Sequence, residues 1–464
     1  MTGNAVDVAG APARPQGPSE AGVHGAARPG PAPGAGPCPV GHPRARLLAG
    51  PGREEGAEAF EVHLRRLGAL PDGLPSDAAG LAEVIEASGL AGRGGGGFGV
   101  ARKLRAARQA GIRPLLIVNA AESEPASGKD GALCELRPHV VLDGAAVAAA
   151  VLGTDEAVLY THRGATGVAR ALREAVRERS AAGSADPRWL LAAAPDRYVA
   201  GEASAAASFV SGGDARPRFL TRPLALAGVD GRPTVVHNAE TVAHLALLAR
   251  YGAEWWRRAG TPAHPGSRLV TVAGAVGAPG TVLEVVEPTP IGALLSAAGA
   301  AGPPLAVLVG GYAGRWLAGD TAWLTDFEPD ALRAAGATVG CGLLAVLGHG
   351  ACPLTETAGL ASYLAGESAG QCGPCVFGLA DVAESLHELA EGRAGRRDVT
   401  RLRRQLEALP GRGGCNHPDG VAAMVSSALE VFADEVVRHT RGRPCPRPDR
   451  RGAFPVPPRC AEWR

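Results

Sequence analysis

From about residue 50 to residue 245, short apolar runs alternate with longer stretches rich in Ala, Leu and Arg, and this alternation constrains the fold more than any other feature. Leu115 to Asn119, Ala157 to Tyr160 and Leu190 to Ala194 read as strands, because each is a brief apolar run bounded by polar residues. Ala101 to Ala110, His139 to Leu152 and Gly167 to Arg179 have the length and composition of helices. Strands and helices in turn predict an α/β sheet covered by helices. The full chain of 464 residues is too long for one core, and at ~150 residues per domain it predicts about three.

The other segments divide by composition. Residues 1–45 are rich in Gly, Ala and Pro and predict a disordered tail that includes Cys38 and His42. Residues 266–350 open with the strand-rich RLVTVAGAVGAPGTVLEV, turn at Pro279-Gly280 and enter a short helix from Ile291 to Ala298, a pattern that predicts a small β-grasp module and its connection. Residues 355–440 carry apolar positions at helical spacing and predict a helical bundle. The Pro- and Arg-rich residues 441–464, with Cys445 and Cys460, predict an extended or disordered tail.

The balance of 47 basic against 46 acidic side chains leaves no overall field to attract nucleic acid or an anionic membrane. No run approaches the ~20 apolar residues of a spanning helix, and the N-terminal stretch lacks the order of a secretory signal, so a cytoplasmic protein is expected. Nine cysteines, an odd number, with a C-x-x-C at Cys372 and Cys375, favour metal or redox use over disulfides. Among so many arginines the only lysines are Lys103 and Lys129. A compact ammonium at a tight anionic site is a reason to keep them.

Gly92-Arg93-Gly94-Gly95-Gly96-Gly97-Phe98 precedes the predicted helix that carries Lys103. Successive glycines let backbone N–H groups converge, and a helix N-terminus favours phosphate, so the run reads as a phosphate cradle or a flexible hinge. It is neither a Walker loop nor a G-x-G-x-x-G after a strand. Past the strand at Leu115 come Asn119-Ala120-Ala121-Glu122-Ser123-Glu124-Pro125 and Ser127-Gly128-Lys129-Asp130, where open α/β sheets bind ligands.

Together these motifs resemble the flavin-binding domain of the F-type, NADH-binding flavoprotein subunit of respiratory complex I and of related hydrogenase and formate dehydrogenase subunits. The family reads GRGGAGFPTGLKW and NADESEPG-x-x-KD, against GRGGGGFGVARKL and NAAESEPASGKD here. Further matches are Tyr198-Val199-Ala200-Gly201-Glu202-Ala203-Ser204-Ala205 to YICGEETA, Pro217-Arg218, and Gly231 to Thr241 to GxPTTxxNVET. The resemblance implies a Rossmann-like FMN domain over 50–245, an SLBB-like β-grasp module and a helical iron-sulfur domain. It implies FMN held by Gly92, Arg93, Gly94, Gly95, Lys103, Asn119, Glu122, Gly201, Glu202 and Asn238, with Phe98 and Glu124 toward NAD(H) and no side chain acting as acid or base. It also implies a partner subunit that is ferredoxin-like or carries another iron-sulfur cluster.

Some positions depart from the family. Ala121 and Ala203 replace carboxylates, Leu220 and Pro223 replace a lysine and a phenylalanine, and Ala106 replaces an aromatic. Cys372, Cys375 and Cys415 suit zinc or iron by spacing, and the resemblance implies an iron-sulfur cluster. The family's ESCGxCxPC is ESAGQCGPC here, with Ala369 in place of the first ligand. A 4Fe-4S cluster with another fourth ligand such as Ser368 or His417, a 3Fe-4S cluster, and no cluster are the three alternatives. Cys134, Cys341 and Cys352 match no ligand motif and are expected to pack in the core. A degenerate relative serving as an assembly subunit is the rival to an electron-transfer enzyme.

Overall fold

The computed structural model describes residues 3–8, 37–40, 42, 44–71, 77–443 and 453–464. In chain order the strands are β1 (Val6–Asp7), β2 (Cys38–Pro39), β3 (Leu115–Asn119), β4 (Glu156–His162), β5 (Arg188–Ala194) and β6 (Thr234–Asn238). They continue as β7 (Ser267–Gly274), β8 (Thr281–Val286), β9 (Ala306–Val309), β10 (Arg315–Ala318) and β11 (Leu343–Leu347).

The first sheet has the order β1-β5-β4-β3-β6, and β3 to β6 are parallel. Side chains alternate between its faces, as the pleat requires. Leu116 and Val118 join one core with the helices Ala78–Ser88, Val100–Arg108, Pro138–Leu152 and Ala239–Arg257. Leu115 and Ile117 join a second core with Ala203–Val210 on the opposite face. Burial on both faces is why these strands are continuous apolar runs rather than alternating ones. Asn119, His162 and Asn238 end three of the parallel strands, so their side chains gather at one edge.

The second sheet, β10-β9-β11-β7-β8-β2, is antiparallel except for the parallel pair β7 and β11. One face packs Val270, Val272, Leu344 and Val346 on the helix Ile291–Ala297. The other face contributes Leu343, Ala345 and Leu347 to a core shared with the helices Pro353–Gly366, Leu379–Ala390, Arg396–Ala408 and His417–Val431.

Both ends of the chain depart from expectation where they are described. Val6 and Asp7 pair antiparallel with Leu191 and Leu190, which places β1 at the edge of the first sheet. Cys38, expected in a disordered tail, is buried opposite Glu284 in β8. Glu284 then accepts N–H bonds from Arg46, Leu47 and Leu48, so one buried carboxylate secures the incoming chain. The other described residues of the tail, among them His42, lie beside these strands, and Cys445 lies outside the described residues. At the far end Phe454 is buried in the second sheet's core, and Trp463 lies over the guanidinium groups of Arg197 and Arg216 at 4.0 and 4.6 Å. Residues 453–464 form neither helix nor strand, and the aromatic anchors Phe454 and Trp463 hold them against the protein.

Within the first core, Pro138–Leu152 crosses Ala239–Arg257 so closely that a Cβ on Gly144 would lie 1.8 Å from the Val242 carbonyl oxygen. Backbone cannot yield as a flexible side chain can. Gly144→Ala is therefore expected to destabilise the protein by about 3 kcal/mol, read as a lower urea midpoint at unchanged m-value.

Candidate functional site

The glycine loop closes on itself. Gly92 N–H donates to the Phe98 carbonyl at 2.9 Å, and Ala91 bridges Gly99, just before the helix Val100–Arg108. Gly95 and Gly97 have φ of +96° and +60°, a backbone region that disfavours side chains. A Cβ on Gly94 would lie 3.1 Å from Asn238 Cβ, so the loop sits directly on the end of β6. Lys103 is half-buried with no acidic partner among the described residues, and its Nζ lies 5.2 Å from the Phe98 ring. Burial and the neighbouring Arg102 lower its pKa. An unneutralised cation beside exposed glycine backbone fits an anionic group such as phosphate. Phe98 is 55% exposed, which rules out core packing for that ring.

Arg93 does not share this role. Its N–H donates to Thr241 Oγ1 at 2.8 Å, its guanidinium donates to the Pro265 carbonyl at 3.3 Å, and Trp256 lies at 5.9 Å. The side chain is buried in the protein, which pulls its pKa down to about 9. Its expected place in the phosphate site is thus corrected to a structural one.

Opposite the loop, the strand ends are tied together. Asn119 Nδ2 donates to the Gly201 carbonyl at 2.8 Å. A Cβ on Gly201 would lie 2.2 Å from Ser123 Oγ, so any side chain there would have to displace that hydroxyl. Lys129 Nζ donates to Glu240 Oε2 at 2.8 Å, to Asp130 Oδ1 at 3.0 Å and to Asn238 Oδ1 at 3.5 Å. The two carboxylates raise its pKa, so it stays charged although buried. The tight anionic site inferred for a retained lysine is here made of the protein's own side chains. Glu122, expected at the flavin, caps the helix Lys129–Leu136 by accepting from the N–H of Asp130 and Gly131 at 3.3 and 2.9 Å. Glu202 caps Ala203–Val210 through the N–H of Ser204 and Ala205 at 2.8 and 3.1 Å. Both carboxylates shape the site by fixing helix starts.

Residues 198–202 connect this edge to the cysteines. Tyr198 O–H donates to Glu124 Oε2 at 3.0 Å, while the Tyr198 ring lies 5.6 Å from that of His417. Val199 lines a cavity of about 430 Å³ together with Ala369, Cys372, Cys375, Cys415 and His417. Glu202 is an electrostatic neighbour of Cys415. The part played by Tyr198 was not legible from the sequence, since its partners come from Glu124 and from the far helix His417–Val431.

Cys375 sits in a π-helical turn, Pro374–Gly378, and Cys415 precedes the N-terminus of His417–Val431, whose His417 N–H points at its sulfur. The three thiols do not all lie within 4.8 Å of one another. Cys372 and Cys375 lie within hydrogen-bonding reach of each other and Cys415 adds a third thiol, a set of soft donors that fits an iron-sulfur cluster. Cys134 and Cys352 are buried, as expected, and half-buried Cys341 donates to the Gly310 carbonyl.

Residues 85–247 match a family model described as the Nuo51 FMN-binding domain, and residues 355–439 match the NADH-ubiquinone oxidoreductase-F iron-sulfur binding region. The F subunit of the NADH-quinone oxidoreductase of Mycobacterium bovis is 30% identical over 379 residues, 78% of this chain and 85% of the relative. This chain belongs to the family of NADH-quinone oxidoreductase F subunits. The corresponding F subunit of Streptomyces coelicolor is 29% identical over 407 residues, 84% of this chain and 88% of the relative. Among solved structures, a NAD+-reducing NiFe hydrogenase in its H2-reduced state superposes with a TM-score of 0.73 at 31% identity. The match covers 80% of this chain and 64% of the hydrogenase chain. As a family member the chain carries an FMN-binding region and an iron-sulfur region. Among the described residues no helix is long and apolar enough to cross a membrane.

Glu124 gives the site a pH signature. Burial pushes its carboxyl up from 4.5 to about 7, against the Tyr198 O–H and the Tyr312 N–H that donate to it. The folded state therefore holds a proton that the unfolded chain has released. Its stabilising contribution is complete below 4.5 and is lost as pH rises toward about 7. Relative to Glu124→Gln, the wild type should lose about 3 kcal/mol of stability across that window, measured by urea unfolding at its two ends.

Proposed function

We propose that this chain is an FMN-dependent electron-transfer subunit. It takes electron pairs from a donor, NADH by analogy with its relatives, and passes single electrons to an iron-sulfur cluster and on to a ferredoxin-like partner protein. The supporting observation is that residues 198–202 belong to both sites. Gly201 receives Asn119 on the flavin side, Val199 lines the cysteine cavity, and Glu202 is an electrostatic neighbour of Cys415. Electron transfer needs that proximity.

Bound FMN would supply the conversion between two-electron and one-electron transfer. Lys103 and the loop of Gly92, Gly94 and Gly95 would hold its phosphate, with Asn119, Gly201 and Asn238 beneath the polar part of the ring system. Phe98 and Glu124 would face the nicotinamide. Cys372, Cys375 and Cys415 would hold the cluster. With Ala121, Ala203, Leu220 and Pro223, the dinucleotide side has fewer polar and aromatic contacts than the family, so FMN retention draws on more of the site than NADH oxidation does.

This reading assigns residues 50–245 to a Rossmann-like flavin unit, 266–350 to an SLBB-like β-grasp unit with its connection, and 355–440 to the iron-sulfur unit, working in the cytoplasm. FMN uptake by the full chain under anaerobic conditions tests it. Lys103→Ala should weaken FMN binding by about 10-fold to 100-fold, the weight of one charge-assisted phosphate contact. A wild-type chain that takes up no FMN overturns the proposal in favour of an assembly role. Bleaching of flavin and iron-sulfur absorption by NADH identifies the donor.

A further inference from the structure

Ala369 stands where the resemblance places a fourth cysteine. We infer that, given the cluster assigned above, one of its irons takes its fourth ligand from outside the protein, as an exchangeable small anionic donor of the thiolate or cyanide type.

The surroundings of Ala369 are fixed and supply no further thiol. Its methyl group lines the same cavity as the three cysteines and offers no donor. The backbone there is pinned, because Arg216 Nη1 donates to the Ala369 carbonyl at 3.3 Å and Glu367 pairs with Arg197 at 3.0 Å. The loop is thus held against the first sheet's connections and is not free to bring a distant donor in.

Of the side chains nearest to hand, the Ser368 hydroxyl and Nε2 of His417 have partners, and Nδ1 of His417 has none. The Ser368 hydroxyl accepts from the Gly370 N–H at 3.1 Å and faces the Cys375 sulfur as a hydrogen-bond donor. A hydroxyl bonded to a ligand sulfur tunes that sulfur and does not occupy a separate iron. His417 uses Nε2 to donate to the Leu364 carbonyl at 2.8 Å, and its Nδ1 is sealed from solvent, whereas the cavity is open.

The cavity also suits a small anion. Arg218 and Arg412 stand at its wall with exposed side chains, and the described residues place no carboxylate in the lining. Beside them Phe219 is 83% exposed, so the mouth is not closed by a packed lid.

The test uses the full chain, purified or reconstituted anaerobically, with iron and sulfide measured first. Reduced protein is then titrated with cyanide, and separately with 2-mercaptoethanol, while its electron paramagnetic resonance spectrum is recorded. A saturable shift of the cluster's g-values with either probe is expected. That shift should persist in Ser368→Ala and His417→Ala and be lost in Ala369→Cys. Ser368→Ala should in addition lower the cluster's reduction potential, since it removes a hydrogen bond to a ligand sulfur. A wild-type cluster insensitive to both probes overturns the external ligand, whether or not Ala369→Cys folds. Sensitivity that emerges only in Ser368→Ala or His417→Ala overturns it as well and names that side chain as the ligand. Absence of iron and sulfide overturns the cluster assignment itself, while FMN uptake tests the flavin part separately.

Discussion

The arrangement of the site depends on one buried ammonium. Lys129 lies between Asp130 and Glu240 and reaches Asn238, which joins the loop after β3 to the end of β6. Asn238 completes the ring by donating to Asp130 Oδ2 at 2.7 Å and accepting from the Glu240 N–H at 3.1 Å. Glu240 in turn accepts from the Leu269 N–H in β7 at 2.7 Å, so the same knot fixes the second sheet to the first. A buried charge without partners would be intolerable. Here each one has partners, and that requirement fixes the geometry.

On this base, capping sets the rest. Glu122 and Glu202 each start a helix, Lys129–Leu136 and Ala203–Val210, and the first of these carries Lys129 and Asp130 to the strand ends. The family's acidic positions thus divide into two groups. Those that cap or pair remain in this chain, whereas two others have become Ala121 and Ala203. Stability keeps the first group in place whatever happens to the second.

Much of the fold was legible. The strand expected at Leu115 to Asn119 is β3, and those at Ala157 to Tyr160 and Leu190 to Ala194 fall within β4 and β5, because burial on both faces writes itself as an apolar run. The ordering of the described termini was not. Cys38 and Phe454 are single anchors in proline-rich surroundings, and their sites lie on strands and helices distant in sequence. Arg93 was misplaced for a related reason: its motif position is on the loop, but a pocket formed by Trp256 and Pro265 holds its side chain.

The sequence by itself determined the chemistry available: glycine backbone before a helix, two lysines in a chain of arginines, three thiols at cluster spacing and an alanine at the fourth position. Residue types and short spacings are local, and they were readable without coordinates. Only the tertiary structure decided which of these groups face a ligand and which face the protein. Lys103 has no acidic partner among the described residues while Lys129 has two, and Ser368 is turned toward a cysteine sulfur. Those assignments depend on partners brought from distant parts of the chain, because the free energy of a buried charge or donor is set by what packs against it.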